Sequence, residues 1–313
     1  MAGNEDSATL WAELLALGHV ADGSPAADRC DELVRTLQRR GEPELLEWCV
    51  RMLSDTAPWQ RRLAGQLLAQ FGDLDDRPYR SVVTPALIGA AAVERDMQTL
   101  AELIDCLGSA QDPTAADELI RYAGHASADV RAAAARALPF AFLDSAEPSA
   151  EAIGALVELS ADPSPRVRDW ACFGLGLQGP DGPAIRAALA ARLADPDDDA
   201  RCEALLALAE LGDARALAAT VERLGADPDD VWLLELRAAA ALTDPALYPA
   251  LRRLVDGGDG ADDAHATAAA FALGRWAPDA AERAAWIEAE LVRVVNARLS
   301  GSGCRSDVRV ATR

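Results

Sequence analysis

Four features of this 313-residue chain could carry chemistry: six cysteines, three histidines, one glycine-rich run and a large excess of carboxylates. A thiolate pair can hold zinc, and a lone activated thiolate can attack a carbonyl. Here Cys30, Cys49, Cys106, Cys172, Cys202 and Cys304 are scattered, with no CxxC pair. Five fall in helical patterns, where cysteine packs as a small hydrophobe. Cys304, beside Arg305, reads as an exposed thiol of ordinary reactivity. His19, His125 and His265 form no HExxH pair, and none stands at metal-ligand spacing from a cysteine. The run GLGLQG, 174–179, matches GxGxxG. A dinucleotide site, however, needs that turn between a strand and the start of a helix, and here it closes a helix. The acidic stretch 256–263, DGGDGADD, lacks the glutamate and alternating spacing of a calcium loop and reads as a plain connection. All 30 basic residues are arginine, so phosphate-loop lysines, Schiff bases and pyridoxal attachment are excluded together. No carboxylate pair is singled out for acid–base work. The residues predict no catalytic, cofactor or metal site, and a protein that is not an enzyme.

The elements behind these residues are helical. Half the chain is apolar but only 5% is aromatic. Alanine and leucine, both strong helix formers, supply most of that half, and strand-forming residues are sparse. Net charge is −21, which disfavours phosphate backbones and anionic lipid surfaces. Such acidity keeps a long surface soluble; read more sharply, it offers an acidic face to a basic partner. No uncharged run approaches a membrane span, and the N-terminal residues lack a basic signal region. A cytoplasmic, monomeric protein is expected. Abundant Ala, Arg and Asp without Lys points to a GC-rich bacterial genome.

A repeat fixes the architecture. Residues 162–181 and 195–213 each open with Asp-Pro, then place Arg six residues after the Asp, Ala three further, and Leu four beyond that. The residues are Asp162, Arg168, Ala171 and Leu175, then Asp195, Arg201, Ala204 and Leu208. Gly179 and Gly212 close the two at Arg plus eleven. Asp55, Arg61, Ala64, Leu68 and Gly72 repeat the frame, and Arg131, Ala134 and Leu138 keep its middle. Weaker copies fall at Cys30, Met97, Glu235 and Ala266, so the anchors lie 31 to 37 residues apart. The opening Asp is suited to capping a helix, Pro to its first turn, and Gly to a left-handed end. Ala and Leu share one helix face. A second amphipathic helix follows, such as 183–193. One such pair cannot bury its apolar face alone, so neighbours must stack.

This frame resembles HEAT-repeat proteins, especially the bacterial HEAT-like repeats of phycobilin lyase subunits, over roughly residues 25–295. The resemblance implies an all-α, right-handed α–α superhelix, a HEAT-like solenoid of about eight helix pairs. It implies that Asp55, Asp162 and Asp195, with Arg61, Arg131, Arg168 and Arg201, build a structural ladder between repeats. The ladder should break at Met97 and Ala266, which lack the Arg. Deoxyhypusine hydroxylases share this architecture and bind iron through His-Glu pairs; Val20, Ala126 and Ala266 follow the histidines here, so that activity is not expected.

Residues 1–22, with Leu10, Trp11, Leu14 and Leu15, read as a capping helix; 23–299 as the solenoid, closed by a helix over 280–299; and 300–313 as an unstructured tail. On the repeat's first helix, positions two, five and nine after the Arg point away from the core. They are Trp170, Phe173 and Leu177, then Arg136 and Phe140, then Glu203, Leu206 and Glu210, with Phe271 and Arg275 near the far end. Aromatics beside charge are what interface hot spots are made of; with the phase shifted by one position, Trp170 and Phe173 would instead pack against a neighbouring helix. The expected function is a protein-binding scaffold or adaptor that holds a protein or peptide on this inner surface. The phycobilin lyase resemblance leaves an alternative, an enzyme accessory holding a small ligand such as a tetrapyrrole.

Overall fold

The computed structural model describes residues 6–18, 24–72, 77–143, 148–178, 181–225 and 231–257. The proposed closing helix, the tail, Phe271 and Arg275 lie outside them, as do His19, His265, Cys304 and nearly all of the 256–263 stretch. Among the described residues all regular structure is helical. The chain divides into two compact units, Met1–Ala146 and Glu147–Arg313.

The first unit contains α1 (Ser7–Leu17), α2 (Pro25–Arg40), α3 (Pro43–Met52), α4 (Pro58–Ala69), α5 (Arg80–Val93), α6 (Met97–Ser109), α7 (Ala116–Ala123) and α8 (Ala128–Phe140). The even-numbered helices pack in sequence, α2 on α4, α4 on α6 and α6 on α8, and each odd helix backs onto the even helix beside it. In the second unit, α10 (Pro165–Gln178), α12 (Asp198–Glu210) and α14 (Leu233–Leu242) form the stacked layer. They are backed by α9 (Ala150–Leu159), α11 (Pro183–Ala190) and α13 (Ala214–Leu224), and α15 (Tyr248–Gly257) packs on α13.

The even helices are the ones that carry the repeat frame, and their frame residues form the core. Ala64, Ala134, Ala171 and Ala204 are fully enclosed, as are Leu68, Leu138, Leu175 and Leu208. The small Ala lets neighbouring helices approach, and the Leu four residues on fills the space one turn away. Gly41, Gly72 and Gly212 hold left-handed conformations, with φ of 56°, 86° and 66°. A side chain there would be strained, which is why glycine ends these segments. Gly108, at the same frame position, instead lies inside α6.

One local expectation is corrected. Asp55, Asp162 and Asp195 do not cap helices directly. Each accepts a hydrogen bond from the N–H two residues on, at 3.0, 2.8 and 3.0 Å. These are Asx turns set just ahead of the helix, and Pro163 and Pro196 lie within the turns. The first helical residues are Pro165 and Asp198. Helix capping falls to other residues, such as Asp197, whose carboxylate accepts from the Ala200 N–H at 3.0 Å. At the N-terminus α1 packs on α2 through buried Leu10 and Leu14, and the Trp11 and Trp48 rings lie 5.7 Å apart.

Candidate binding surface

The frame arginines position the even-numbered helices. Arg168 donates through Nη1 to the Asp162 and Pro163 carbonyls at 3.0 and 3.3 Å, tying the turn to its own helix. Its Nε and Nη2 grip both oxygens of Asp195 at 2.8 and 2.6 Å, in the next repeat. Burial works against the charged form of Asp195. Arg168, the Asp197 N–H and Arg192 outweigh it and hold the carboxyl below the usual range. In the first unit Arg61 does the same to Glu94, at 2.6 and 2.8 Å, while donating to the carbonyls of Asp55 and Thr56. The acid partner there stands three residues before Met97, where the frame would have placed an aspartate six before. Arg131 donates to the carbonyls of His125 and Ala126, and Arg201 to that of Asp195. Glu235 stands where the frame has Arg, and the polarity of the contact inverts. The glutamate is fully buried and accepts from Arg223 at 2.6 Å, from the Trp232 N–H at 2.9 Å and from the Cys202 thiol at 3.7 Å.

With the helices so fixed, the second unit assembles one face from α10, α12 and α14. Trp170, Glu203 and Arg237 occupy the same place on successive helices, two residues after Arg168, Arg201 and Glu235, and all three are half-buried. Trp170 meets Phe173 edge to face, centroids 5.7 Å apart and planes at 86°. Leu177 continues the row along α10 and is also half-buried. Burial pushes the Glu203 carboxyl up to about 8, with Asp169 and Glu210 adding to the rise and Arg237 opposing it. Glu210 is solvent-accessible, yet neighbouring protein mass raises it too, again against Arg237. Asp169 and Arg237 belong to this face, and the frame alone did not nominate them. Reading the second position across to Glu235 would have found Arg237.

Three expected members of the free face are buried instead. Arg136 is 6% exposed, and its guanidinium clasps both Asp105 oxygens on α6, with Nε to Oδ1 at 2.8 Å. Phe140 and Leu206 are 9% and 7% exposed. An even helix packs against the next even helix of its unit, so a side chain that points away from the backing helix is still open to cover from the side, as α6 covers Arg136 on α8. Trp232, just ahead of α14, is 39% exposed. The first unit has its own carboxyl of raised affinity for protons. Burial pushes Glu102 on α6 up to about 7, against Arg62 at 3.3 Å.

Cys49, Cys106, Cys172 and Cys202 are buried; burial pushes Cys49 up to about 12 and moves Cys172 and Cys202 in the same direction. His125 accepts the Ser127 N–H at Nδ1, 3.1 Å away, and so closes the turn before α8. Gly174–Gln178 lie within α10, so this stretch is helix and not a phosphate-binding turn. Among the described residues no cluster of three or more His, Cys, Asp or Glu is placed to hold a metal ion, and no helix is long and apolar enough to cross a membrane.

The raised Glu203 has a consequence for stability. Its folded value lies above the ordinary 4.5, so the fold binds this proton more tightly than the unfolded chain does. The contribution is full below about pH 4.5 and declines as pH rises toward 8. Glu203→Gln should therefore match the parent melting temperature near pH 5 and exceed it at pH 9, by a few degrees. An offset that does not change with pH would remove the carboxyl from this role.

The family model for HEAT repeats matches residues 153–243, from within α9 to the end of α14. No curated protein matches the chain. Among solved structures, YibA of Escherichia coli is 22% identical with a TM-score of 0.59, over 84% of this chain and 91% of that one. A Kap121p variant is 16% identical with a TM-score of 0.53, over 93% of this chain and 36% of that one. The CpcE–CpcF complex of the Nostoc phycocyanin lyase is 18% identical, over 82% of this chain and 97% of that one, with a TM-score of 0.42. These likenesses show the fold: helical repeats of the HEAT type.

Proposed function

We propose that this HEAT-repeat chain is a non-enzymatic, cytoplasmic scaffold that holds a protein or peptide segment on the inner-layer helices of its repeats. The observation that carries the reading is the Trp170–Phe173 pair. Two large rings sit half-buried on α10, edge to face, in a row continued by Leu177 and flanked by charged groups on α12 and α14. Aromatic anchors rimmed by charge concentrate binding energy, and truncating one such anchor typically costs ~2 kcal/mol or more. Neither ring belongs to the Ala–Leu core that holds the helices together. Their replacement should leave the fold in place.

The test uses the immobilised full chain against extract of the source cell, with the retained protein identified and then purified for titration. Trp170→Ala/Phe173→Ala should weaken that complex at least tenfold, while circular dichroism and melting temperature stay near the parent values. Undiminished affinity in the double variant would remove this face as the site.

A further inference from the structure

We propose that α5 is a self-association face: two copies of this chain pair antiparallel along it, with Gly89 of each copy against Ala86 of the other. The face belongs to the first unit and does not depend on the binding row of α10. It sets a weak dimer against the monomer expected from the sequence.

Among the described residues, three of the five large hydrophobic side chains that stand open to solvent fall in one stretch: Val82, Val93 and Met97. Val93 is 76% exposed and Val82 46%. Contiguous apolar surface of this kind marks a place where something docks. Val82, Ala86, Gly89 and Val93 are spaced four, three and four, which puts them within about 60° of arc on one side of α5 at 3.6 residues per turn. Residues 81–93 carry no charge, in a chain whose net charge is −21. Ala86, Gly89 and Val93 also border a groove of about 530 Å³ that Val50 and Leu53 of α3 line with them.

Three features point to a second copy as the occupant. The first is Gly89. Glycine weakens a helix from within, and in this chain Gly65, Gly108 and Gly176 stand where the next helix presses. A methyl on any of them would come within 2.9 Å of a facing atom, and at Gly108 and Gly176 the facing residue is an alanine, Ala137 and Ala207. Gly89 has the same setting in mid-helix, yet nothing in its own chain stands within 4 Å of a methyl there. Gly154 of α9 is equally open, but the exposed Glu151 and Glu158 share its side of the helix and keep it in water. The second feature is symmetry. A two-fold axis passing between Leu87 and Ile88 makes the face meet itself. Gly89 then meets Ala86 of the other copy and Val82 meets its Val93, each contact occurring twice. Small faces small at the crossing, as between α6 and α8, and large faces large at the ends. The third is charge. Surfaces of one sign repel, so two copies of this acidic chain approach most readily where the surface is uncharged.

The area fixes the strength. The 14 residues of α5 run about 21 Å, and a second helix of ~12 Å diameter covers about 250 Å² of them. The α3 side of the groove roughly doubles that, so two copies bury on the order of 1,000 Å², the range of weak, reversible complexes.

The test is sedimentation equilibrium of the full chain from about 1 to 300 µM, at about 50 and 300 mM salt. A dimer with a Kd in the tens of micromolar is expected, tightening as salt rises, because screening relieves the repulsion between two acidic copies. Val93→Glu should weaken it at least tenfold. Val221→Glu, the same change at an exposed position of α13, should leave it within twofold. Val82→Arg/Val93→Glu should recover most of the loss, since the new charges lie about 16 Å apart along one helix and meet only across the pair. Gly89→Ala should weaken the dimer at least tenfold although its methyl meets nothing within one chain, and Gly154→Ala should not. Urea midpoints read at submicromolar chain, where the dimer is dissociated, keep this loss separate from any change in fold stability. A chain that stays monomeric throughout the range would overturn the inference and leave the face to another protein. A dimer indifferent to Val93→Glu and Gly89→Ala would overturn it as well. Failure of Val82→Arg/Val93→Glu to recover association would overturn the antiparallel register. A dimer that weakens as salt rises would be held by ion pairs, and the uncharged face would not be its interface.

Discussion

Arg136→Met should lower the unfolding free energy of the first unit by about 3–5 kcal/mol at pH 7, the usual result of removing one partner of a buried ion pair. Arg136 and Asp105 are 6% and 7% exposed and face each other between α8 and α6. Without the guanidinium, Asp105 would remain as a carboxylate in a space closed to water, and such a group takes up a proton in preference to staying charged. Its folded pKa in the variant would then exceed its unfolded one. The penalty should therefore be small near pH 4 and grow as pH rises. Denaturant titrations at pH 4.5 and 7 would read the difference. Arg136→Met/Asp105→Leu should recover most of the loss, because a well-packed apolar pair often replaces a buried ion pair at little cost. Arg136→Met within 1 kcal/mol of the parent at pH 7 would show that the pair is solvated and the helix interface looser than described.

The same pair shows where the sequence stops being informative. The frame Ala and Leu residues were legible because their burial is set by the helix they belong to and the helix that backs it. Periodicity records that relation. Ala64, Leu68, Ala171 and Leu175 all stand in the core as their spacing requires. Arg136, Phe140 and Leu206 depend on a different relation, the distance to the repeats on either flank, and no period within one helix encodes it. Arg136 lies five residues after Arg131, as Phe173 lies five after Arg168. Yet one is enclosed against Asp105 and the other half-buried on the open face. The partner of Arg61 was missed for a related reason. The clamp needs a carboxylate at a place in space, and Glu94 reaches it from a different offset than Asp195 does. Trp170 and Glu203 share the second position after the frame residue, which periodicity does record, and Arg237 stands at the same position after Glu235.

That flank distance depends on single glycines at close helix contacts, and a glycine at such a contact and one facing open space should respond to the same substitution with opposite signs. A methyl group placed on Gly108 of α6 would fall 2.6 Å from the Ala137 Cα and 2.9 Å from its carbonyl oxygen on α8. Those are backbone atoms, so no rotamer change relieves the clash, and the two helices must part. Parting them also pulls Arg136 from Asp105, since both contacts join the same helices. Gly108→Ala should therefore cost at least the ~1–3 kcal/mol of an overpacked core. Gly89 of α5 lies in a helix of the same unit, on the rim of a groove of about 530 Å³ shared by Val50, Leu53 and Val93, and nothing stands within 4 Å of a methyl there. Gly89→Ala gains helix propensity and meets no neighbour, so it should stabilise by about 0.5–1 kcal/mol. Both changes report on the first unit, which makes urea midpoints directly comparable. In the second unit Gly176→Ala should fall between them, because its methyl would meet the Ala207 side chain at 2.9 Å but the Ala207 Cα only at 3.5 Å. If Gly108→Ala proved as stable as the parent while Gly89→Ala behaved as stated, the α6–α8 approach would be wider than described, and close backbone contact could not be what encloses Arg136.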